Sequence, residues 1–233
     1  MQSHTNRVLK NIISSILVVL IFFFTFITIV NVSFNALYLT TPVKGFSMRP
    51  TINTNVDDAK APGDTIYVNM GAKFTNNDIV VAKVDWPLLE SSWIIKRVVG
   101  TPGDKIQIKD ETTHYTVYVN NKVLYTKEKY GNSSSFPKSG SYLYFDNYLN
   151  FLDNPKFQEQ GWVAEENGSK YIKLGEDEYF LMGDNWGHTT DCIEKGPIKA
   201  DEILGKVELI VDVENKNPFT PTLFFLKKLF TKN

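Results

Sequence analysis

The sequence SWIIKRVVG occupies residues 92–100 and is followed by TPGD at residues 101–104. β-Branched residues are frequent in this run, and the Pro-Gly pair after it is typical of a turn. We therefore predict a β-strand over residues 92–100. Side chains alternate across a strand, so Lys96 shares one face with Ile94 and Val98, and Arg97 lies on the other face. One of the two cations must then face apolar neighbours.

Runs of the same kind recur on both sides of this strand. Asn120-Asn121 suits a tight hairpin turn, and few segments show the period of an amphipathic helix. The further predicted strands cover residues 66–68, 78–84, 105–109, 116–119, 122–125, 171–174, 179–182 and 203–213. This pattern predicts a mainly β fold, with an antiparallel β domain over residues 33–215.

Residues 126–170 differ in character from the rest of this domain. They are rich in Gly, Ser, Asn, Tyr and Phe and show little periodicity. Their aromatic side chains favour packing over disorder. We therefore expect an inserted cap region at residues 126–170.

A long apolar run precedes the domain, and no charged residue occurs between Lys10 and Lys44. About 20 apolar residues cross a bilayer as a helix, whereas the apolar core of a cleaved signal peptide has about 7–15 residues and precedes small ones. We predict a transmembrane signal-anchor helix over residues 12–32. Because Arg7 and Lys10 lie before it, the positive-inside rule places residues 1–11 in the cytoplasm and the domain outside the plasma membrane.

Residues 216–233 form a basic, apolar tail that is too short to cross a membrane. It combines leucine and phenylalanine with Lys227, Lys228 and Lys232. Such a segment suits an amphipathic helix at the membrane interface. The alternative is a terminal helix that packs on the domain, and the sequence does not separate the two.

Composition excludes several classes of function. The 25 Lys and Arg balance 26 Asp and Glu, and no basic stripe occurs outside the termini, so a nucleic-acid partner is not expected. The single cysteine excludes an intrachain disulfide and a Cys-rich zinc site. Only three histidines occur, and His4 precedes the apolar run, so a His-based metal centre is not expected. No glycine-rich phosphate loop is present. We therefore expect chemistry without a metal or cofactor, next to a lipid bilayer.

The sequence GFSMRPT at residues 45–51 contains a candidate nucleophile, Ser47. A serine shortly before a proline is usually part of a turn. To attack a carbonyl, its hydroxyl needs a neighbouring base, because it stays protonated at neutral pH. Lys96 can supply that base, since burial among apolar groups lowers a lysine pKa from about 10.4 by as much as 3–5 units. A neutral amine near pH 7–8 is a competent general base.

With Ser47, Lys96 and the apolar helix together, the chain resembles the bacterial type I signal peptidases, serine proteases with a Ser-Lys dyad. Four stretches carry the resemblance in the family's order. They are GFSMRPT at 45–51, DIVVA at 78–82 with Asn77 in place of a glycine, KRVVGTPGD at 96–104 and MGDN at 182–185. The resemblance implies the signal peptidase fold and cleavage of signal peptides from exported preproteins, after small residues, at the outer face of the membrane.

The resemblance also implies roles for individual residues. Ser47 attacks the scissile carbonyl, Lys96 takes and later donates its proton, and the Ser47 backbone N–H holds the oxyanion. Gly45 stands where some family members carry a second donor hydroxyl. Three residues are expected to line the substrate pocket: Val43, Met48 and Ile95.

The last of the four stretches departs most from the family's pattern, which reads Gly-Asp-Asn-Arg, then a serine, then Asp-Ser-Arg. Here Trp186 replaces the first arginine, and the final triplet is Asp191-Cys192-Ile193. Thr189 keeps a hydroxyl that can orient Lys96. Lys195 is expected to replace the missing arginine beside Asp191, although lysine does not reproduce a bidentate contact. Three residues are expected to support the site: Asp184, Asn185 and Asp191.

Three other interpretations compete with this one. His188 and Cys192 could suggest a Cys-His dyad or a Ser-His triad, but a packed thiol and an exposed imidazole are favoured. A signal-peptidase-like protein could bind exported pilus subunits and assist their assembly without cleavage. Retention of Ser47 and Lys96 favours the enzyme. A self-cleaving Ser-Lys repressor would carry a DNA-binding domain where this chain has an apolar helix.

Overall fold

A computed structural model of the chain describes residues 2–86, 92–124, 135–137, 142–214, 217 and 219–231. The helices are α1 (Gln2–Leu37), α2 (Tyr142–Asp153), α3 (Pro155–Glu159), α4 (Cys192–Lys195) and α5 (Thr220–Phe230). The strands are β1 (Tyr38–Pro42), β2 (Thr65–Asn69), β3 (Ile79–Lys83), β4 (Trp93–Gly100), β5 (Lys105–Asp110), β6 (His114–Val119), β7 (Lys122–Val123), β8 (Ser135–Pro137), β9 (Val163–Glu166), β10 (Ser169–Lys173), β11 (Glu178–Met182), β12 (Ile198–Lys199) and β13 (Ile203–Val211).

The chain divides into two compact units, one made of Met1–Leu39 with Asn217–Asn233 and one of Thr40–Lys216. The second unit is built on two sheets. The larger has seven strands in the order β1-β2-β13-β3-β4-β11-β12, and the smaller has the order β7-β6-β5-β10-β9 with β8 paired to β6. The pairings between β3, β4, β11 and β13 are antiparallel. The predicted mainly β fold is confirmed.

The strand predicted at residues 92–100 is β4, which lies between β3 and β11. The main hydrophobic core contains Ile94, Val98 and Val99 of β4 together with Phe180 and Leu181 of β11. A second cluster contains Ile66, Val68 and their neighbours. Because β4 contacts both clusters, side chains on both of its faces are buried.

The predicted hairpin turn is also confirmed. Asn120 and Asn121 both have positive φ, 50° and 63°, and Val119 pairs with Lys122 across them. Asparagine tolerates this left-handed conformation better than most residues, so a two-residue turn forms. Tyr125, the last residue of the strand predicted at 122–125, lies outside the described residues.

The described part of segment 126–170 contains β8, α2, α3, β9 and the first residues of β10. Helix α2 buries four residues at helical spacing in the main core: Tyr144, Tyr148, Phe151 and Leu152. Strand β9 pairs with β10 and extends the smaller sheet. These residues therefore contribute to the core and to a sheet of the domain. The sequence pattern did not predict α2 as a helix.

The first unit combines the apolar helix and the tail. The predicted segment 12–32 lies within α1, whose part Lys10–Leu37 is apolar and long enough to cross a membrane. The tail forms α5, and its buried Phe225 packs edge-on against Phe34 at a ring distance of 5.5 Å. Lys228 Nζ donates to Tyr38 Oη at 3.0 Å. The tail thus packs on residues at the end of α1.

Candidate active site

Strand β4 places two cations in the protein interior. Lys96 and Arg97 are each 4% exposed. The alternation of side chains required only one of them to face apolar neighbours, but both faces of β4 are covered from Lys96 to Gly100. The two charges have different surroundings, because Arg97 forms an ion pair and Lys96 forms none with the described residues.

The Lys96 amine lies beside the Ser47 hydroxyl. Nζ is 2.8 Å from Ser47 Oγ and 3.1 Å from the Ile95 carbonyl oxygen, and it donates to both. Burial lowers the pKa of Lys96 below its ordinary value of 10.5, while the negative charge of Asp191 opposes this effect. The structure therefore brings together a half-buried serine and a lysine whose charged form is disfavoured.

Arg97 forms a bidentate ion pair with Asp184, which follows β11. Nε lies 2.9 Å from Oδ1 and Nη2 lies 2.6 Å from Oδ2. Arg97 Nη1 also donates to the Asn77 carbonyl at 2.7 Å, and Thr51 donates its hydroxyl proton to Asp184. Both charges are buried, so this geometry is what makes their burial tolerable.

The backbone around Ser47 is held by residues 183–185. Asn185 donates its backbone N–H to the Ser47 carbonyl at 2.9 Å and its side-chain amide to the Phe46 carbonyl at 3.0 Å. A Cβ on Gly183 would lie 2.7 Å from the Ser47 carbonyl oxygen and would collide with the Thr189 side chain. Glycine is required at position 183 because the Ser47 backbone approaches so closely.

Asp191 is fully buried and is bonded by neutral donors. The Tyr144 hydroxyl lies 2.8 Å from each carboxylate oxygen. The remaining donors are the Gly183 N–H at 2.8 Å, the Thr189 hydroxyl at 3.1 Å and the Ile193 N–H at 3.1 Å. Burial raises the pKa of Asp191, and these hydrogen bonds and the Lys96 charge work in the opposite direction.

Two expectations about this stretch need correction. No ion pair joins Lys195 to Asp191 within the part of the chain that the structure describes. The Tyr144 hydroxyl bonds the carboxylate instead, from a helix that the sequence pattern did not reveal. Thr189 donates to Asp191, and the described hydrogen bonds of the Lys96 amine go to Ser47 and Ile95 rather than to Thr189.

The residues expected to line the substrate pocket lie in one hydrophobic cluster. Val43 and Met48 are 5% and 3% exposed, and Ile95 is partly buried against them. The cluster also contains Ile52 and Ile79. Met48 directly follows Ser47, so this apolar cluster begins one residue from the serine.

His188 and Cys192 do not form a reactive pair. Cys192 is fully buried, accepts a hydrogen bond from the Leu181 N–H at 3.2 Å and has a pKa raised by burial. His188 is exposed. The interpretation as a packed thiol and an exposed imidazole is confirmed. Among the residues described, no group of three or more His, Cys, Asp and Glu is arranged to hold a metal ion.

A serine hydroxyl in contact with a buried lysine amine is a combination found in Ser-Lys hydrolases. The family described as "Signal peptidase, peptidase S26" matches residues 11–212 of this chain. The chain belongs to that family and is a serine peptidase. The family acts on preproteins that carry signal peptides, and an assembly factor without peptidase activity is not favoured.

Two curated signal peptidases agree with this assignment. A signal peptidase IB of Staphylococcus aureus is 30% identical over 176 residues, which cover 73% of this chain and 76% of the relative. A signal peptidase I V of Bacillus subtilis is 27% identical, with 74% of this chain and 85% of the relative covered. A crystal structure of a signal peptidase I from Enterococcus faecalis is 19% identical over 58% of this chain and 97% of that chain, with a TM-score of 0.32.

Proposed function

We propose that this peptidase removes N-terminal signal peptides from exported preproteins after small residues, with Ser47 as nucleophile and Lys96 as general base. One observation carries the assignment of these two residues: the 2.8 Å contact between Ser47 Oγ and the Nζ of a buried lysine. Membership of the signal peptidase family supplies the class of substrate. The peptidase works without a cofactor or metal in this proposal.

In the acylation step, neutral Lys96 accepts the Ser47 hydroxyl proton as Oγ forms a bond to the scissile carbonyl carbon. The oxyanion accepts a hydrogen bond from the Ser47 N–H, which has no hydrogen-bond partner in the described part of the chain. The tetrahedral intermediate then collapses and the C–N bond breaks. Lys96 donates its proton to the leaving amine, which is the new N-terminus of the mature protein.

In the deacylation step, water attacks the ester between Ser47 and the signal peptide. Lys96 takes a proton from the water and returns it to Ser47 Oγ as the signal peptide leaves. Both steps need Lys96 neutral at the start. Burial on β4 favours that form, because it removes the ammonium from water.

The surrounding residues have supporting roles in this proposal. Asp184 and Asn185 hold the Ser47 loop through Thr51 and the backbone, and Thr189 acts on the site through Asp191. The apolar cluster with Val43, Met48 and Ile95 contributes the pocket for the small substrate side chain.

Helix α1 serves as the membrane anchor in this proposal. Its segment Lys10–Leu37 is long and apolar enough to span the plasma membrane. The basic residues before it favour a cytoplasmic N-terminus, so the β domain meets preproteins at the outer face. The enzyme and its substrates thus share the lipid bilayer.

Cleavage of a preprotein with Ala-x-Ala before its cleavage site tests the assignment. The full chain in detergent is compared with Ser47→Ala and Lys96→Ala. We expect each substitution to lower kcat/KM by about 10⁴-fold or more, because the two residues act as a unit. Matched controls are Ser92→Ala and Lys83→Ala, which change an exposed serine and an exposed lysine. These controls are expected to cleave at the wild-type rate.

Unimpaired cleavage by Ser47→Ala or Lys96→Ala protein would overturn the roles of these residues. Thermal unfolding of each variant checks that loss of activity is not loss of fold. A preprotein with large residues in place of both alanines is expected to remain uncut. Efficient cleavage of that substrate would overturn the proposed preference for small residues.

A further inference from the structure

We propose that Tyr144 of α2 is a positioning residue for the Ser47–Lys96 reaction, which acts by holding the buried Asp191 carboxylate. This inference rests on the proposed function. The hydroxyl of Tyr144 is 2.8 Å from both carboxylate oxygens, so a single donor lies between them. The two residues are 47 positions apart in the chain, and α2 brings them together.

The Tyr144 ring is itself held in place. It is 2% exposed and stacks on Trp186 with a ring distance of 4.6 Å and an interplanar angle of 23°. Trp186 and Ile193 are two positions where this chain lacks an arginine that its resemblance to the family predicts. Tyr144 stacks on Trp186, and its hydroxyl bonds Asp191 in place of the arginine missing at position 193. One side chain from α2 therefore contacts the residue at the first altered position and supplies the Asp191 partner lost at the second.

Asp191 depends on hydrogen-bond donors such as this hydroxyl, because no cation among the described residues forms an ion pair with it. Arg97 is bound to Asp184, and no ion pair reaches Asp191 within the described ranges of the chain. A buried carboxylate without an ion pair needs hydrogen-bond donors to remain charged. The other side-chain donor is Thr189, at the longer distance of 3.1 Å. Tyr144 is thus the principal side-chain partner of Asp191.

Asp191 is connected to the reacting groups in two ways. Its charge favours the ammonium form of Lys96, in opposition to burial. It also accepts from the Gly183 N–H and the Thr189 hydroxyl, and Gly183 lies against the Ser47 carbonyl. The position and charge of the Asp191 carboxylate therefore influence both the protonation of Lys96 and the position of the Ser47 loop.

Removal of the Tyr144 hydroxyl is expected to raise the pKa of Lys96. The O–H dipole points its positive end at the carboxylate and partly offsets its negative charge. The Gly183 N–H, the Thr189 hydroxyl and the Ile193 N–H still donate to Asp191 without it, so the carboxylate is expected to stay ionised. Its field at Lys96 then becomes more negative and the ammonium form gains stability. The activity of an enzyme that needs a neutral lysine then requires a higher pH.

The other ionisable groups that face this cluster have different surroundings. Asp184 is held by Arg97, and burial keeps the Cys192 thiol neutral by raising its pKa. Glu194 also faces Tyr144, and burial raises its pKa while Lys195 opposes the shift. Within the described part of the chain the Tyr144 hydroxyl donates to Asp191 and to none of these other groups, so its removal acts first on Asp191.

The experiment measures kcat and KM for a signal-peptide substrate from pH 6 to pH 10 with the full chain in detergent. Tyr144→Phe keeps the ring that stacks on Trp186 and removes the hydroxyl. We expect kcat to fall about tenfold with KM within about twofold, and the acidic limb to move up by roughly half to one pH unit. A purely structural role would not move that limb.

Tyr148→Phe is the matched control. Tyr148 lies one turn further along α2 and is 3% exposed, but its hydroxyl interacts with the Ile108 backbone and not with Asp191. This variant is expected to keep the wild-type pH profile. Tyr144→Phe is also made in the Asp191→Asn background, where it should no longer shift the limb if it acts through the carboxylate.

A second substitution keeps the test decisive if Tyr144→Phe fails to fold. Replacing Tyr144 by 3-fluorotyrosine keeps the ring and makes the hydroxyl a stronger donor, so the acidic limb is expected to move to lower pH. An unchanged limb in a folded Tyr144 variant, or an equal shift in Tyr148→Phe, would overturn the inference. Full cleavage by Ser47→Ala would instead overturn the Ser-Lys assignment, on which the inference rests.

Discussion

At residue scale, Lys96 is a side chain whose charge the folded protein disfavours. Its pKa in the folded state lies below 10.5 because burial outweighs the opposing charges of Asp191 and Asp184. Between the folded value and 10.5 the unfolded chain binds a proton that the folded chain does not. The free energy of unfolding therefore rises with pH across this window and is lower at pH values below it.

Lys96→Met replaces the buried amine by an uncharged, unbranched side chain that is one atom shorter. We expect the variant to be inactive and to unfold at a higher temperature than wild type at pH 7, with a difference that narrows toward pH 10. Thermal unfolding in detergent at pH 7, 8, 9 and 10 measures it. Lys83→Met, at an exposed lysine on β3, is the control and should track wild type at each pH. A difference that does not vary with pH would contradict the buried ammonium.

The sequence predicted part of this site for a physical reason. The alternation along residues 92–100 required a cation among apolar groups, and a serine close to an apolar helix supplied a possible partner. It could not predict Tyr144, because the contact with Asp191 depends on how α2 packs. Likewise, Arg97 is buried because Asp184 meets it with both oxygens, which alternation alone does not reveal.

At element scale, the sequence predicted strands better than helices. The runs that became β2, β3, β4 and β13 are rich in β-branched residues, which favour strands. Helix α2 has buried positions at 144, 148, 151 and 152, which is the spacing of one helical face. Its aromatic residues are only moderate helix formers and its neighbours are rich in Gly and Ser, so local preference did not reveal it. Tertiary packing decides its conformation.

Helix α5 yields a prediction about its contact with the end of α1. Phe225 is 5% exposed and packs against Phe34 and Tyr38. Phe225→Ala removes the ring that joins the two helices, so we expect faster amide hydrogen exchange throughout Thr220–Phe230. Hydrogen exchange with mass spectrometry in detergent micelles measures this. Phe230→Ala, at a ring that is 80% exposed, is the control and should exchange like wild type. Equal protection in both variants would contradict the packing.

At the scale of the whole molecule, the charges around α1 predict an orientation. Arg7 and Lys10 precede the apolar segment, and the next charged residue after it is Lys44. We expect the protein to remain in the membrane fraction after carbonate extraction. A protease added outside spheroplasts should degrade the β domain and leave an N-terminal epitope intact. A cytoplasmic protein in the same spheroplasts controls for leakage. An intact domain or a degraded epitope would contradict this orientation.

The contact between Gly183 and the Ser47 carbonyl bears on how the enzyme meets a covalent inhibitor. The carbonyl is held by the Asn185 N–H at 2.9 Å and lies where a Cβ on residue 183 would need space. In the proposed reaction, these contacts limit the movement of the Ser47 backbone while Oγ is acylated. The electrophile must therefore reach Ser47 Oγ in the required orientation without help from movement of the Ser47 backbone. We expect rigid warheads to be selected by their angle of approach more than by their intrinsic reactivity.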